Sequence, residues 1–183
     1  LNRRSISFEI NDVSYRRTTE VIQKNVETTS DRWKIIKGDG CDMDYLKDES
    51  NCIDAVFTSP PYYGSPEPYN NDPRDLCNMS IEDFDKRIDV MFSNLKRLIK
   101  RSDYKKKIFH PMIFVVGTYR NNSEGIYDMD ASFQNIAKSH GLKLWDKQMI
   151  QVHNPHLVCS IQRNFELKFT HKNYETSLVF CKF

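Results

Sequence analysis

Asp54-Ala55-Val56-Phe57-Thr58-Ser59-Pro60-Pro61-Tyr62-Tyr63-Gly64 joins a short apolar run to two consecutive prolines and two tyrosines. Ile53 to Thr58 has the β-branched and aromatic content of a strand, and Ser59-Pro60-Pro61 stops it, because proline lacks a backbone donor and fixes its own φ. A buried strand that ends in such a loop sits where an open α/β sheet places its ligands, beyond the strand's carboxyl end. Upstream, Trp33 to Lys37 is a second β-prone run, stopped by Gly38-Asp39-Gly40. It too is expected to be buried. The 12 residues from Cys41 to Cys52 leave room for one short helix and a turn, as in a compact βαβ unit.

Working outward, residues 1–32 are polar with scattered apolar positions and no clean period, and are expected to form an irregular lead-in to a domain over 33–183. The helix expected from Ser80 to about Lys100 has a serine N-cap, Asp83 three residues on, and an apolar stripe through Ile81, Phe84, Ile88, Met91, Phe92, Leu95, Leu98 and Ile99. Met112 to Gly117 predicts a strand. Asp130 is placed as the cap of a helix carrying Phe133, Ile136 and Ala137, which Gly141 ends before a strand from Leu142 to Val152. Phe165 to Thr170 and Thr176 to Phe183 predict two further strands. The alternation argues an α/β fold with a mixed sheet flanked by helices, antiparallel at its C-terminal end.

With 183 residues, 27 basic and 25 acidic side chains, the chain fits one domain, and its net charge of +2 argues nothing about nucleic acid. Five widely spaced cysteines without a CxxC pair suggest neither a disulfide framework nor a zinc knuckle, so a reducing, cytoplasmic setting is expected. No apolar run reaches the roughly 18 residues of a membrane span. No metal is expected: His153 and His156 have ligand-like spacing but flank Pro155 without an acidic partner. The chain begins at Leu1, as a processed chain or a piece of a longer one would.

Ser59-Pro60-Pro61-Tyr62 resembles the catalytic motif of amino-group DNA methyltransferases, in which Asp, Asn or Ser precedes Pro-Pro-Tyr or Pro-Pro-Phe. The resemblance implies a partial Rossmann-like fold, S-adenosylmethionine as cofactor, double-stranded DNA as partner, and a bacterial-type restriction-modification setting. The Ser form points to cytosine N4 rather than adenine N6. Gly38-Asp39 is similar to the segment of permuted members, those with the catalytic half first, that contacts the donor's adenosine; an ordinary Asp-Gly turn is the alternative. Thr58 is placed with these two on the donor side. The family's Phe-x-Gly-x-Gly donor loop is not formed by any of the six glycines. The chain is therefore expected to be the N-terminal half of a split enzyme, a fragment or a degenerate remnant, needing a second subunit or C-terminal half.

The implied chemistry accounts for the residue types. An exocyclic amine on a base is a poor nucleophile because its lone pair is delocalised into the ring, so the site must turn that lone pair toward the methyl donor. The Ser59 hydroxyl and the Pro60 carbonyl offer two acceptors for the amine hydrogens, Pro61 stiffens the loop, and Tyr62 offers a flat face for a base flipped out of the duplex. Tyr63 is placed as a second wall. Asn70, Asn71 and Arg74 lie in the following polar loop, as substrate contacts or as part of a lid. The basic run Lys96, Arg97, Lys100, Arg101, Lys105, Lys106 and Lys107 is either a solvated helix end or a phosphate track. Two other readings are a non-catalytic DNA-binding or assembly subunit and an RNA or protein amino-methyltransferase.

Overall fold

Ser5–Glu9 forms the first strand (β1) and Asp12–Asn25 the first helix (α1) of the computed structural model, which describes residues 3–25, 32–63, 71–121, 125–151 and 174–183. The expectation of an irregular lead-in is corrected here. Asn11 caps α1, its side chain accepting from the N–H groups of Val13 (2.8 Å) and Ser14 (3.0 Å). The helix lacks a strong apolar stripe: Val13 and Val21 are 55% and 58% exposed. Its amphipathic signal is correspondingly faint. β1 runs parallel to β2 (Trp33–Lys37), in register from Ser5 opposite Trp33 to Glu9 opposite Lys37.

The link after β2 holds a single 3-10 turn, Asp44–Leu46, rather than an α-helix. Long side chains from the next helix pin this loop. Asn94 donates to the carbonyls of Cys41 (2.9 Å) and Asp42 (3.0 Å), and Arg97 to that of Leu46 (2.8 Å). The third strand, β3, is Val56–Thr58, shorter than the Ile53 to Thr58 run. It pairs with a later strand and not with β2, so the expected compact βαβ unit does not form. Neither strand is buried as expected: Trp33 is 53% and Phe57 74% exposed, and among the described residues β2 and β3 each have a neighbouring strand on one side only.

Helix α2 (Ile81–Leu98) follows its sequence pattern closely. Ser80 Oγ accepts from the Asp83 N–H at 3.1 Å, and Phe84, Ile88, Met91, Phe92, Leu95 and Leu98 form its buried face. After β4 (Pro111–Val116), a hairpin that the sequence pattern does not announce is formed by β5 (Thr118–Asn121) and β6 (Gly125–Asp128). Helix α3 (Met129–Ser139) is capped by Asp128 and not by Asp130: the Asp128 carboxylate accepts from the N–H groups of Asp130 (3.1 Å) and Ala131 (3.4 Å). Its end is a Schellman turn. Leu142 N–H reaches the Ala137 carbonyl (3.0 Å) and Gly141 N–H that of Lys138 (2.9 Å), with Gly141 at φ +72°.

β7 (Lys143–Gln151) and β8 (Tyr174–Cys181) complete a four-stranded sheet of order β3-β4-β8-β7. β3 and β4 are parallel, and β8 is antiparallel to both neighbours, so the sheet is mixed as expected. The strand expected over Phe165 to Thr170 lies outside the described residues, as do His153 and His156. The core sits between this sheet and helices α2 and α3, where the Phe92 ring meets Phe114, Phe133 and Phe180 at centroid distances of 5.0, 5.7 and 5.6 Å. Each of these rings is at least 99% buried, a contribution of about 1.5–3 kcal/mol apiece. No helix among the described residues is long and apolar enough to cross a membrane.

This register gives the sheet two poles. Thr58 of β3, Val116 of β4 and Thr176 of β8 lie toward one pole, while Pro111, Lys143 and Cys181 align at the other. Ser59-Pro60-Pro61-Tyr62 leaves β3 at the first.

Candidate functional site

Thr58, half-buried, ends β3 opposite Phe114. From there the chain exposes Ser59, buries Pro60 and leaves Pro61 and Tyr62 half-buried. Pro60 is thus the buried residue of the turn, and Ser59 before it is exposed. The Tyr62 hydroxyl donates to Glu175 Oε1 at 2.5 Å. Glu175 belongs to β8, paired with Ile150 of β7, and enters the site because an antiparallel β8 begins at the pole where a parallel β3 ends. The sequence reading assigned no role to Glu175; the two residues are 113 positions apart, and only the sheet topology joins them.

Tyr63, expected as a second wall, is instead 7% exposed and belongs to the core. Its ring meets Phe84 at 6.0 Å and Tyr127 at 5.2 Å, both edge-on. Below it, the hydroxyls of Tyr127 and Ser132 both donate to Asp85, the latter at 2.6 Å. Burial, and then the hydrogen bond to Asp85, push the Tyr127 phenol well above its ordinary value, so it remains a neutral donor. The two adjacent tyrosines thus differ: Tyr63 lies within the core, while Tyr62, half-buried, packs against that core and keeps its hydroxyl on Glu175.

Gly38 and Asp39 follow β2. Asp39 is engaged inside the protein: Oδ2 accepts from Arg87 at 2.5 Å, Oδ1 from the Cys41 N–H at 2.7 Å, and its side chain is only 8% exposed. Arg87 also reaches Asp42 at 2.9 Å, and that hydrogen bond leads the effects that raise its pKa. Beside this cluster, burial and then the Asp39 charge push the Cys41 thiol up to about 12. A side chain at Gly38 would meet nothing within 4 Å, so close packing does not demand glycine there. Asp39 is thus engaged within the chain by Arg87 and the Cys41 N–H, and a carboxylate, with about four acceptor sites, keeps capacity for a further donor.

Arg74 is exposed and forms a bidentate pair with Asp72, at 2.8 Å and 3.1 Å. That pair holds the Asp72 carboxyl down to about 2 and raises Arg74, with weaker help from the charges of Asp39 and Asp42. Asn71 is exposed, and Asn70 lies outside the described residues. Among the described residues, no group of three or more His, Cys, Asp or Glu side chains is placed to hold a metal ion.

Neither a protein-family model nor a curated protein matches the chain. Solved structures do. TTHA0409 from Thermus thermophilus, described as a candidate DNA modification methylase, aligns with TM-score 0.54 at 16% identity over 79% of this chain and 52% of its own. The same protein complexed with S-adenosyl-L-methionine aligns at 17% identity with TM-score 0.54, over 79% of this chain and 53% of that one. A SAM-dependent methyltransferase from Methanosarcina mazei aligns with TM-score 0.56 at 8% identity, over 97% of this chain and 81% of that one. The chain thus has the Rossmann-like α/β fold of S-adenosylmethionine-dependent methyltransferases, and it spans about half the length of TTHA0409.

Proposed function

We propose that this chain is the target-base half of a DNA amino-methyltransferase that uses S-adenosylmethionine and modifies cytosine N4 in preference to adenine N6. The observation that carries this reading is the exposed Ser59 beyond the carboxyl end of β3, beside a Tyr62 ring that Glu175 holds by its hydroxyl. Ser59 Oγ and the Pro60 carbonyl accept the two hydrogens of the amine, which rotates the nitrogen lone pair out of conjugation and aims it. Tyr62 stacks on the flipped base and offsets part of the few kcal/mol of unstacking. The donor supplies an electrophilic methyl group. Methylation leaves the amino nitrogen acidic enough to lose its extra proton without a strong base, so a neutral serine suffices.

The second half is proposed to dock on β3. Among the described residues, β3 has a strand on one side only, and its middle residue, Phe57, is 74% exposed. A parallel strand from the donor-binding half would pair with that open edge and cover Phe57. Free thiols at Cys41, Cys52, Cys77 and Cys181 suit a reducing cytoplasm, and a restriction-modification setting follows from the proposed reaction.

The test is to mix the chain with polypeptides carrying Phe-x-Gly-x-Gly, DNA and labelled donor, and to measure transfer and donor binding separately. Transfer is expected only with a partner present. Micromolar donor binding by the isolated chain in calorimetry would contradict the division of labour, and absence of transfer with every partner would sink the catalytic reading.

A further inference from the structure

The pole opposite Ser59 carries a second concentration of functional chemistry. α2 ends there with Lys96 and Arg97, and the chain then runs through Lys100 and Arg101 to a tight reversal. Asp103 and Ile108 close this reversal with a pair of backbone hydrogen bonds, 2.8 Å and 3.0 Å, while Asp103 Oδ1 accepts from the Lys106 N–H at 3.1 Å. The four residues at the tip, Tyr104-Lys105-Lys106-Lys107, are all exposed. Lys107 sits at φ +55°, a left-handed conformation that glycine or asparagine adopts more cheaply. Three consecutive lysines are thus displayed on a fixed loop.

An aromatic row lies beside the tip. Trp145 contacts Tyr104, Phe109 and Phe183 at centroid distances of 5.8, 5.3 and 5.3 Å. The row is open to solvent, with Tyr104 67%, Trp145 47% and Phe109 40% exposed. Lys143 lies 5.6 Å from the Phe183 ring centre. A cleft of about 770 Å³ runs between Arg101, Tyr104, Lys105 and Phe183.

The positive charge is only partly neutralised. Lys100 pairs with Asp54 at 2.7 Å and Lys106 with Asp103 at 3.6 Å, whereas among the described residues no carboxylate pairs with Arg101, Lys105 or Lys107. Lys182, beneath them, is held below the ordinary lysine value by burial and then by the charges of Arg101 and Lys96.

A basic surface alone would suit any polyanion. Exposed rings next to it narrow the class, because duplex DNA hides its base faces whereas a single strand offers a base for each ring and a phosphate for each cation. We infer that this pole, formed by the 104–107 tip and the Trp145 row, is a binding surface for single-stranded nucleic acid, separate from the site at Ser59. It stands independently of the proposed reaction, since it uses none of the residues placed there.

The test is anisotropy of a labelled oligothymidylate titrated with the full chain, repeated with a duplex of equal length and with polyglutamate as competitor. Tighter binding of the single strand is expected. Tyr104→Ala, at an exposed position that leaves the core intact, should weaken it about tenfold, as loss of one stacking partner does. Lys105→Ala with Lys107→Ala should flatten the slope of log K against log salt by about 1.4, the release of two phosphate contacts. Lys24→Ala, which removes an exposed lysine of α1 away from both surfaces, should leave it unchanged. Equal affinity for duplex, efficient competition by polyglutamate, or a loss with Lys24→Ala as large as with the pole variants would each overturn the inference. A failure of methyl transfer would not touch it.

Discussion

Removing the Glu175 carboxylate tests whether Tyr62 is held in its working position by the distant strand β8. The bond is 2.5 Å long, half-buried, and made to an acidic side chain, which places it among hydrogen bonds that contribute about 1.5–3 kcal/mol. Partial exposure moves the expectation to the lower end. Glu175→Ala should therefore cost roughly 1.5–2 kcal/mol in urea unfolding of the chain, and Tyr62→Phe a similar amount. The two share one interaction, so the double variant should cost little more than either single one, with a coupling of about 1 kcal/mol or more. Glu175→Gln keeps an acceptor oxygen and should recover about half of the loss. In the transfer assay with a donor half, Glu175→Ala should lower kcat more than it raises KM, because a loose ring still stacks but does not orient the base. Additive single variants would refute the link, and an unchanged kcat would refute its role in positioning.

Three further outcomes follow from the packing. Phe92→Ala removes the ring that meets Phe114, Phe133 and Phe180, and should destabilise the chain by about 3–5 kcal/mol in urea unfolding. Gly141→Ala forces a side chain into φ +72° and should cost about 1–2 kcal/mol of thermal stability. Cys41, buried and held up to about 12, should resist alkylation in the native chain while the exposed Cys52 reacts. The sign for stability is that of a raised acid: no loss from Cys41 below pH 9, where it is protonated in both states, and a progressive loss as pH rises from 9 toward 12. Mass spectrometry after a brief iodoacetamide pulse reads the first, and urea midpoints against pH read the second.

Elements whose information is local were legible in the sequence. The α2 stripe and its Ser80 cap, the apolar β4 and the glycine stop at Gly141 depend on residues a few positions apart. β1 was missed although Ser5-Ile6-Ser7-Phe8-Glu9-Ile10 alternates polar and apolar residues as a strand does, whereas the apolar residues of α1 are sparse and exposed, so its helical period stays below the polar background. For α1, Asn11 was the available signal, as a cap before a charged first turn. The roles of Tyr62 and Tyr63 could not be separated from adjacent identical letters, because Phe84 and Tyr127 on other elements decide which ring is buried. Glu175, Arg87 and the engagement of Asp39 likewise depend on long-range pairing. The exposed Phe57 inverted the expectation of a buried strand because what covers a strand's face is decided by distant elements, and Val56-Phe57-Thr58 reads the same covered or bare.

The most direct measurement is mass spectrometry of nucleosides from DNA incubated with S-adenosylmethionine, this chain and a donor-binding partner. The account predicts N4-methyl-deoxycytidine with the native chain and a large loss with Ser59→Ala at unchanged DNA affinity. Methylated base at the same level with Ser59→Ala, or methyl groups found only on protein or RNA, would contradict it.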